Sequence, residues 1–170
     1  MILNAENVLK SIPNGLGEFG SLAQVGIDMS VKHITRIRGG KIYQGKKKAE
    51  IIEYGDVPYI FDKDENGKGV KCWKLGYGVY SLTFHQGVKI DNKHCGMVIG
   101  RSSTNRCAML LRSGVFDPGF ECEEAGATLY VFADGQVEIQ EGARLGQLVL
   151  AECEEASEYN GSYQGDKDLK

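Results

Sequence analysis

The chain has 170 residues, 42% apolar and 25% charged, with only 3 Pro; this is length for one packed core and the composition of a folded domain, not of a disordered or collagen-like chain. With 20 basic against 23 acidic residues the net charge is -3, so no bulk positive field exists for a nucleic-acid backbone and no polymeric nucleic acid is expected as the main ligand, whereas a small phosphorylated ligand needs only a few local cations. No apolar run reaches the roughly 18 residues of a membrane span, and Met1-Ile2-Leu3 lacks the basic start and long apolar stretch of a signal peptide, so a cytoplasmic protein without a membrane partner is expected.

Helix signals are scarce. The best is at the start, where Asn4 can cap a short amphipathic helix carrying Val8, Leu9 and Ile12, stopped by Pro13-Asn14-Gly15. From Val25 to about Leu150 the chain consists of short β-favouring runs between Gly, Asn and Asp turns: 26–34, 49–53, 59–62, 70–75, 78–85, 96–99, 107–111, 127–132, 137–139 and 145–151. Many short strands at that spacing predict a sandwich, jelly roll or barrel. Asn66-Gly67 and Asp134-Gly135 both read as hairpin turns, because both dipeptides tolerate positive φ. Residues 36–71, rich in Lys and Gly, read as hairpins projecting from the core, and apolar residues thin out after Glu152 into a mobile tail over 157–170. With no internal repeat and no linker, 1–170 is expected to be one domain.

Several motifs fall away on inspection. Gly40-Lys41-Ile42-Tyr43-Gln44-Gly45-Lys46-Lys47 nearly spells the phosphate loop G-x-x-x-x-G-K-[ST], but Lys47 stands where a magnesium-binding hydroxyl is needed, and a strand rather than a helix follows. His33, His85 and His94 have no metal-ligand spacing. The five cysteines, Cys72, Cys95, Cys107, Cys122 and Cys153, are odd in number with no C-x-x-C pair, which argues for reduced, mostly structural thiols.

Two clusters carry chemistry. In Gly100-Arg101-Ser102-Ser103-Thr104-Asn105-Arg106 a strand ending in Val98-Ile99 meets a turn dense in hydroxyls and guanidinium groups, the convergent donors that phosphate oxygens need; the competing reading is a Ser-capped helix start. In Ser113-Gly114-Val115-Phe116-Asp117-Pro118-Gly119-Phe120 one acid sits beside aromatic rings; taken alone, this is an ordinary Pro-Gly turn.

In their order along the chain these clusters resemble the motifs of the trimeric dUTP pyrophosphatase and dCTP deaminase superfamily. Gln24-Val25-Gly26-Ile27-Asp28 is similar to its first motif, and Gly78-Val79-Tyr80-Ser81-Leu82 to the strand before the second. Gly100-Arg101-Ser102-Ser103 resembles the second motif, 114–120 the third and Arg144-Leu145-Gly146-Gln147-Leu148 the fourth, while the helical start and Tyr163-Gln164-Gly165 look deaminase-like. Residues 36–71 match least and read as a lineage-specific elaboration. The resemblance implies a distorted jelly-roll barrel, mainly β, that forms a homotrimer with active sites between subunits. It further implies that Arg101, Ser102, Ser103, Arg106, Gly114, Val115, Phe120, Gln147, Tyr163 and Gln164 bind a pyrimidine deoxynucleotide, with Phe120 under the deoxyribose and Gln164 closing over the ligand.

Two reactions share that frame. The pyrophosphatase splits dUTP to dUMP and pyrophosphate with a third-motif Asp as general base, here Asp117, and Mg²⁺ bound mainly through the substrate phosphates; Asp28 would hold the metal through water. The deaminase uses a Glu in a context like T-L-E, where this chain reads Thr128-Leu129-Tyr130. A phenol with an ordinary pKa of about 10 is a poor proton shuttle near neutrality, so dUTP hydrolysis is the expected activity. Zinc-independent dCTP deamination, alone or alongside it, is the alternative, and a silent nucleotide-binding relative the third class. The chain departs from the standard pyrophosphatase in its longer acidic loop at 121–126, where Glu123 or Glu124 could replace the missing acid, and in lacking the Gly-rich, Arg-containing fifth motif.

Overall fold

A computed structural model describes residues 1–45, 48–154, 159–161 and 164–165. The elements are α1 (Ala5–Leu9), β1 (Ser21–Leu22), β2 (Ile27–Lys41), β3 (Glu50–Asp56), β4 (Tyr59–Lys63), β5 (Gly69–Leu75), β6 (Gly78–Phe84) and β7 (Val88–Lys89). They continue with β8 (His94–Gly100), α2 (Ser102–Arg106), β9 (Met109–Arg112), β10 (Glu121–Cys122), β11 (Gly126–Val131), β12 (Val137–Gln140) and β13 (Arg144–Glu152). Asn4 caps α1 as expected, its side chain accepting from the Asn7 N–H, and Val8 and Ile12 are buried below it.

Antiparallel pairing closes a barrel in the order β2-β13-β8-β9-β11-β6, with β6 returning to β2. Closure leaves no unpaired edge in that ring. Along each strand alternate side chains point inward, so Ile27, Met29, Val31, Leu82, Phe84, Val98, Leu111, Leu129, Leu148 and Leu150 fill the interior. Each such side chain stabilises the fold by about 1.5–3 kcal/mol through burial. Outside the ring, β1 and β3 add to β2, β4-β5-β12 form a three-stranded sheet and β7 pairs β10.

Two turn expectations separate here. Asn66-Gly67 closes the β4–β5 hairpin, with Gly67 at φ +78° and Asp64 N–H donating to Lys68 O at 2.9 Å. Asp134-Gly135 is not a hairpin: it links β11 to β12, which pair with different strands, and Gly135 has no positive φ. Strand partners, not the dipeptide, decide where the chain goes after such a turn.

The segment 36–71 projects only in part. Beyond Arg36, β2 runs on with β3 as a two-stranded arm, but Val57 N–H donates to Ile34 O, and β5 is tied into the body through β12 and the buried Cys72, Trp73 and Leu75. All five cysteines are free; Cys122 is buried, which pushes its thiol up to about 11 and keeps it protonated at neutral pH.

Candidate active site

The second motif is a well-braced corner. After β8 ends, Arg101 is extended and acts as N-cap of α2 without any side-chain cap, so the hydroxyls of Ser102 and Ser103 are exposed and make no hydrogen bond among the described residues. The Ser-capped reading therefore does not apply. Thr104, fully inside, donates from its hydroxyl to Leu145 O at 2.7 Å, and Arg101 N–H donates to the same carbonyl at 3.1 Å. These bonds fasten α2 to the start of β13, which carries the fourth motif. Arg106 is exposed in the last turn of α2.

Asp28 of the first motif lies beneath this corner, only 5% exposed. Its Oδ1 is 3.1 Å from Arg101 Nε; its Oδ2 is 3.8 Å from Arg144 Nη1 and accepts from Ser21 Oγ at 3.3 Å. Arg144 also donates to Ser21 Oγ at 2.6 Å, and Arg101 Nη1 to Arg144 O at 3.1 Å. A hard cation needs free carboxylate oxygens and repels guanidinium. Direct ligation of Mg²⁺ by Asp28 does not fit this donor set, because the carboxylate is paired with two arginines; any contact through water would have to form beside them. Gln147, opposite Asp28 on β13, is half-buried and donates from its amide to Val25 O.

The third motif is set at the other end of β8. Phe116 bridges Gly96, and Asp117-Pro118-Gly119-Phe120 then forms a type II turn, with Phe120 N–H donating to Asp117 O at 3.0 Å and Gly119 at φ +80°. Gly114 and Val115 are exposed ahead of it. The Asp117 side chain is exposed and has no hydrogen bond or ion pair among the described residues. Phe120 points the other way: it is 7% exposed, stacked on Phe116 at 5.3 Å and edge-on to Tyr159 at 5.5 Å. In this chain its ring belongs to the core beneath the turn rather than to an open sugar surface. Gln164 lies along the same turn, its amide donating to Gly119 O at 3.0 Å and its oxygen accepting from Glu121 N–H at 3.3 Å. Tyr163 lies outside the described residues.

In the acidic loop, Glu124, one of the two acids named as substitutes, is paired with Lys32, and Glu121 ahead of it with Lys89 at 3.0 Å. Tyr130 stands on the outer face of β11, stacked with Phe132 at 6.4 Å and opposite Leu110. Sequence reasoning missed one group: Asp62, Cys72 and Glu138 bring ligand atoms within 4.8 Å of one another. They lie far apart in sequence and meet only through the β4-β5-β12 pairing, and Glu138 is already held by Lys74 at 2.7 Å and Asp62 by Gln140 at 3.3 Å.

A dCTP deaminase-like family profile matches residues 3–153. The chain belongs to the dCTP deaminase-like family. A relative in Sulfurihydrogenibium sp., named "dCTP deaminase, dUMP-forming", is 30% identical across 98% of this chain and 93% of its own length. A Halobacterium salinarum protein named probable deoxyuridine 5'-triphosphate nucleotidohydrolase is 34% identical over 90 residues, 53% of either chain, so the match spans about half of that relative. Among solved structures, the 2'-deoxycytidine 5'-triphosphate deaminase of Agrobacterium tumefaciens superposes with a TM-score of 0.57 at 15% identity, over 89% of this chain and 49% of that one, a likeness of fold. The dCTP deaminase-like relatives thus carry both activity names considered from the motifs. Among the described residues no helix is long and apolar enough to cross a membrane.

Proposed function

We propose that the chain is an enzyme that hydrolyses dUTP to dUMP and pyrophosphate, Asp117 serving as general base for water attack on the α-phosphorus. The observation that carries this reading is a contrast: Asp117 presents an exposed, uncommitted carboxylate on a hydrogen-bonded turn, whereas the strand position expected to carry a deaminase acid holds Tyr130 in an apolar stack. The substrate enters as its magnesium complex, the cation riding on the phosphates. Arg101, Ser102, Ser103, Arg106 and Gln147 donate to those phosphates, charge-assisted bonds of about 1.5–3 kcal/mol each. Asp28, by fixing Arg101 and Arg144, orients donors before substrate arrives, so little reorganisation accompanies charge development.

The site is shared between copies of the chain. Asp117 lies beside the start of β8 and Arg101 just past its end, about 20 Å apart at the rise of an extended strand. That span favours a nucleotide held by the phosphate donors of one subunit and the carboxylate of another. The outer barrel face supports such contact: Met97, Ile99, Leu110, Tyr130 and Phe132 are all at least one-third exposed on β8, β9 and β11 or just beyond. A homotrimer provides one shared site per interface.

The test is incubation with dUTP and with dCTP in Mg²⁺, followed by product separation. Pyrophosphate from dUTP is expected, ammonia from dCTP would shift the assignment to deamination, and neither product would leave a nucleotide-binding relative. Mixing Asp117→Asn chains with Arg101→Ala/Ser102→Ala/Ser103→Ala chains, each strongly impaired alone, should regenerate active hybrid sites; no recovery after subunit exchange would refute the shared site.

A further inference from the structure

The β2–β3 arm contributes nothing to the site above, yet it carries concentrated charge. From Arg36 to Lys48 the sequence has six cations and no carboxylate, in a chain of net charge -3. Between the arm and the β4–β5 hairpin lies a cleft of about 610 Å³, whose walls include Arg36, Tyr54, Tyr59, Lys74 and Tyr80. The Arg36 guanidinium carbon is 5.3 Å from the Tyr54 ring centroid and 6.0 Å from that of Tyr80, and Arg38 approaches the Tyr54 ring to 5.7 Å. Tyr80 is buried and anchored by its hydroxyl, which donates to Gly76 O at 2.9 Å, so the platform under Arg36 is fixed.

These two guanidiniums pack on one ring with no ion-pair partner among the described residues; Arg36 donates to Tyr77 O at 3.5 Å. Carboxylates nearby are engaged elsewhere. Asp56 lines the cleft but holds His33 at 2.9 Å, and Glu138 neutralises Lys74. Two guanidiniums packed over one tyrosine ring, neither with a counter-ion among the described residues, are matched by a phosphate, which accepts several charge-assisted bonds at once. Aromatic walls and the cleft volume suit a ligand carrying a planar ring beside that phosphate.

We propose that the cleft between the β2–β3 arm and the β4–β5 hairpin is a second anion site, in which Arg36 of the cleft wall binds the phosphate of a nucleotide and Arg38, packed on the same Tyr54 ring, adds its charge. It is separate from the Arg101–Ser103 corner and stands whichever reaction that corner supports. The phosphate can belong to a free nucleotide or to a single strand, and the test distinguishes them.

Isothermal titration of the full chain with AMP, and separately with a short oligodeoxyadenylate, is compared among wild type, Arg36→Gln/Arg38→Gln and Arg101→Ala. Gln keeps a hydrogen-bonding side chain of similar reach and removes only the charge. One AMP per chain is expected, with affinity about tenfold or more lower in the double variant and unchanged in Arg101→Ala. The same pattern with the oligonucleotide alone assigns the phosphate to a strand. Absence of binding to wild type, equal binding by the double variant, or loss in Arg101→Ala would overturn the proposal. Should the double variant melt earlier than wild type, Arg38→Gln alone, at an exposed position, must still weaken binding.

Discussion

The two ends of β8 are built differently. At its C-terminal end, Arg101 and Arg144 are locked onto the buried Asp28, and α2 is pinned to β13 by Thr104, so the corner is rigid before any ligand arrives. At its N-terminal end, the backbone turn is fixed but the Asp117 carboxylate stands free over a packed aromatic base. On the proposed function the difference would be a division of labour, since phosphate donors gain from preorganisation whereas a general base must keep its lone pairs open to water.

Removing the free carboxylate tests this contrast most severely. Asp117→Asn keeps shape and loses the proton acceptor, so dUTP turnover, followed by pyrophosphate release, should fall by about 10²–10⁴ with nucleotide binding retained. A near wild-type rate would make Asp117 a turn residue. The aromatic base beneath it should fail by a different route: Phe120→Ala removes a buried ring and should cost about 3–5 kcal/mol in urea unfolding. Phe120→Leu should cost much less, and only that variant can report on discrimination between UTP and dUTP; if Phe120→Ala unfolds like wild type, the ring is not core.

At the braced end, Asp28→Asn leaves two guanidiniums facing each other without a counter-charge. With Arg101 and Arg144 partly in solvent, the loss should be about 1–3 kcal/mol, read as a lower Tm, accompanied by weaker triphosphate binding. Stabilisation of the wild type by Mg²⁺ alone that vanishes in this variant would instead restore a metal role for Asp28. The smallest effect belongs to Ser102→Ala, which should lower triphosphate affinity by about tenfold with Tm unchanged, because the hydroxyl is exposed and unpaired in the fold. Unchanged affinity would move the phosphate contacts elsewhere on the corner.

Much of the architecture was legible in the chain, for local reasons. The Asn4 cap, the alternation in β6, β11 and β13, and the turns at Asn66-Gly67 and Asp117-Pro118-Gly119 each follow from backbone preference and side-chain period within a few residues. The order of Gly100-Arg101-Ser102-Ser103, 114–120 and 144–148 was enough to indicate the family. What the residue string leaves open is which groups neutralise one another. That Asp28 pairs with Arg101 and Arg144, 73 and 116 positions away, is not visible in the residue string. Phe120 looked like a sugar platform until Phe116 and Tyr159 covered it, and Asp134-Gly135 looked like a hairpin until its flanking strands joined different sheets. Local propensity acts through the chain's own torsions and can be read from neighbours in sequence; charge pairing, ring burial and strand partnership act through space, between residues that only the closed barrel brings within a few ångströms.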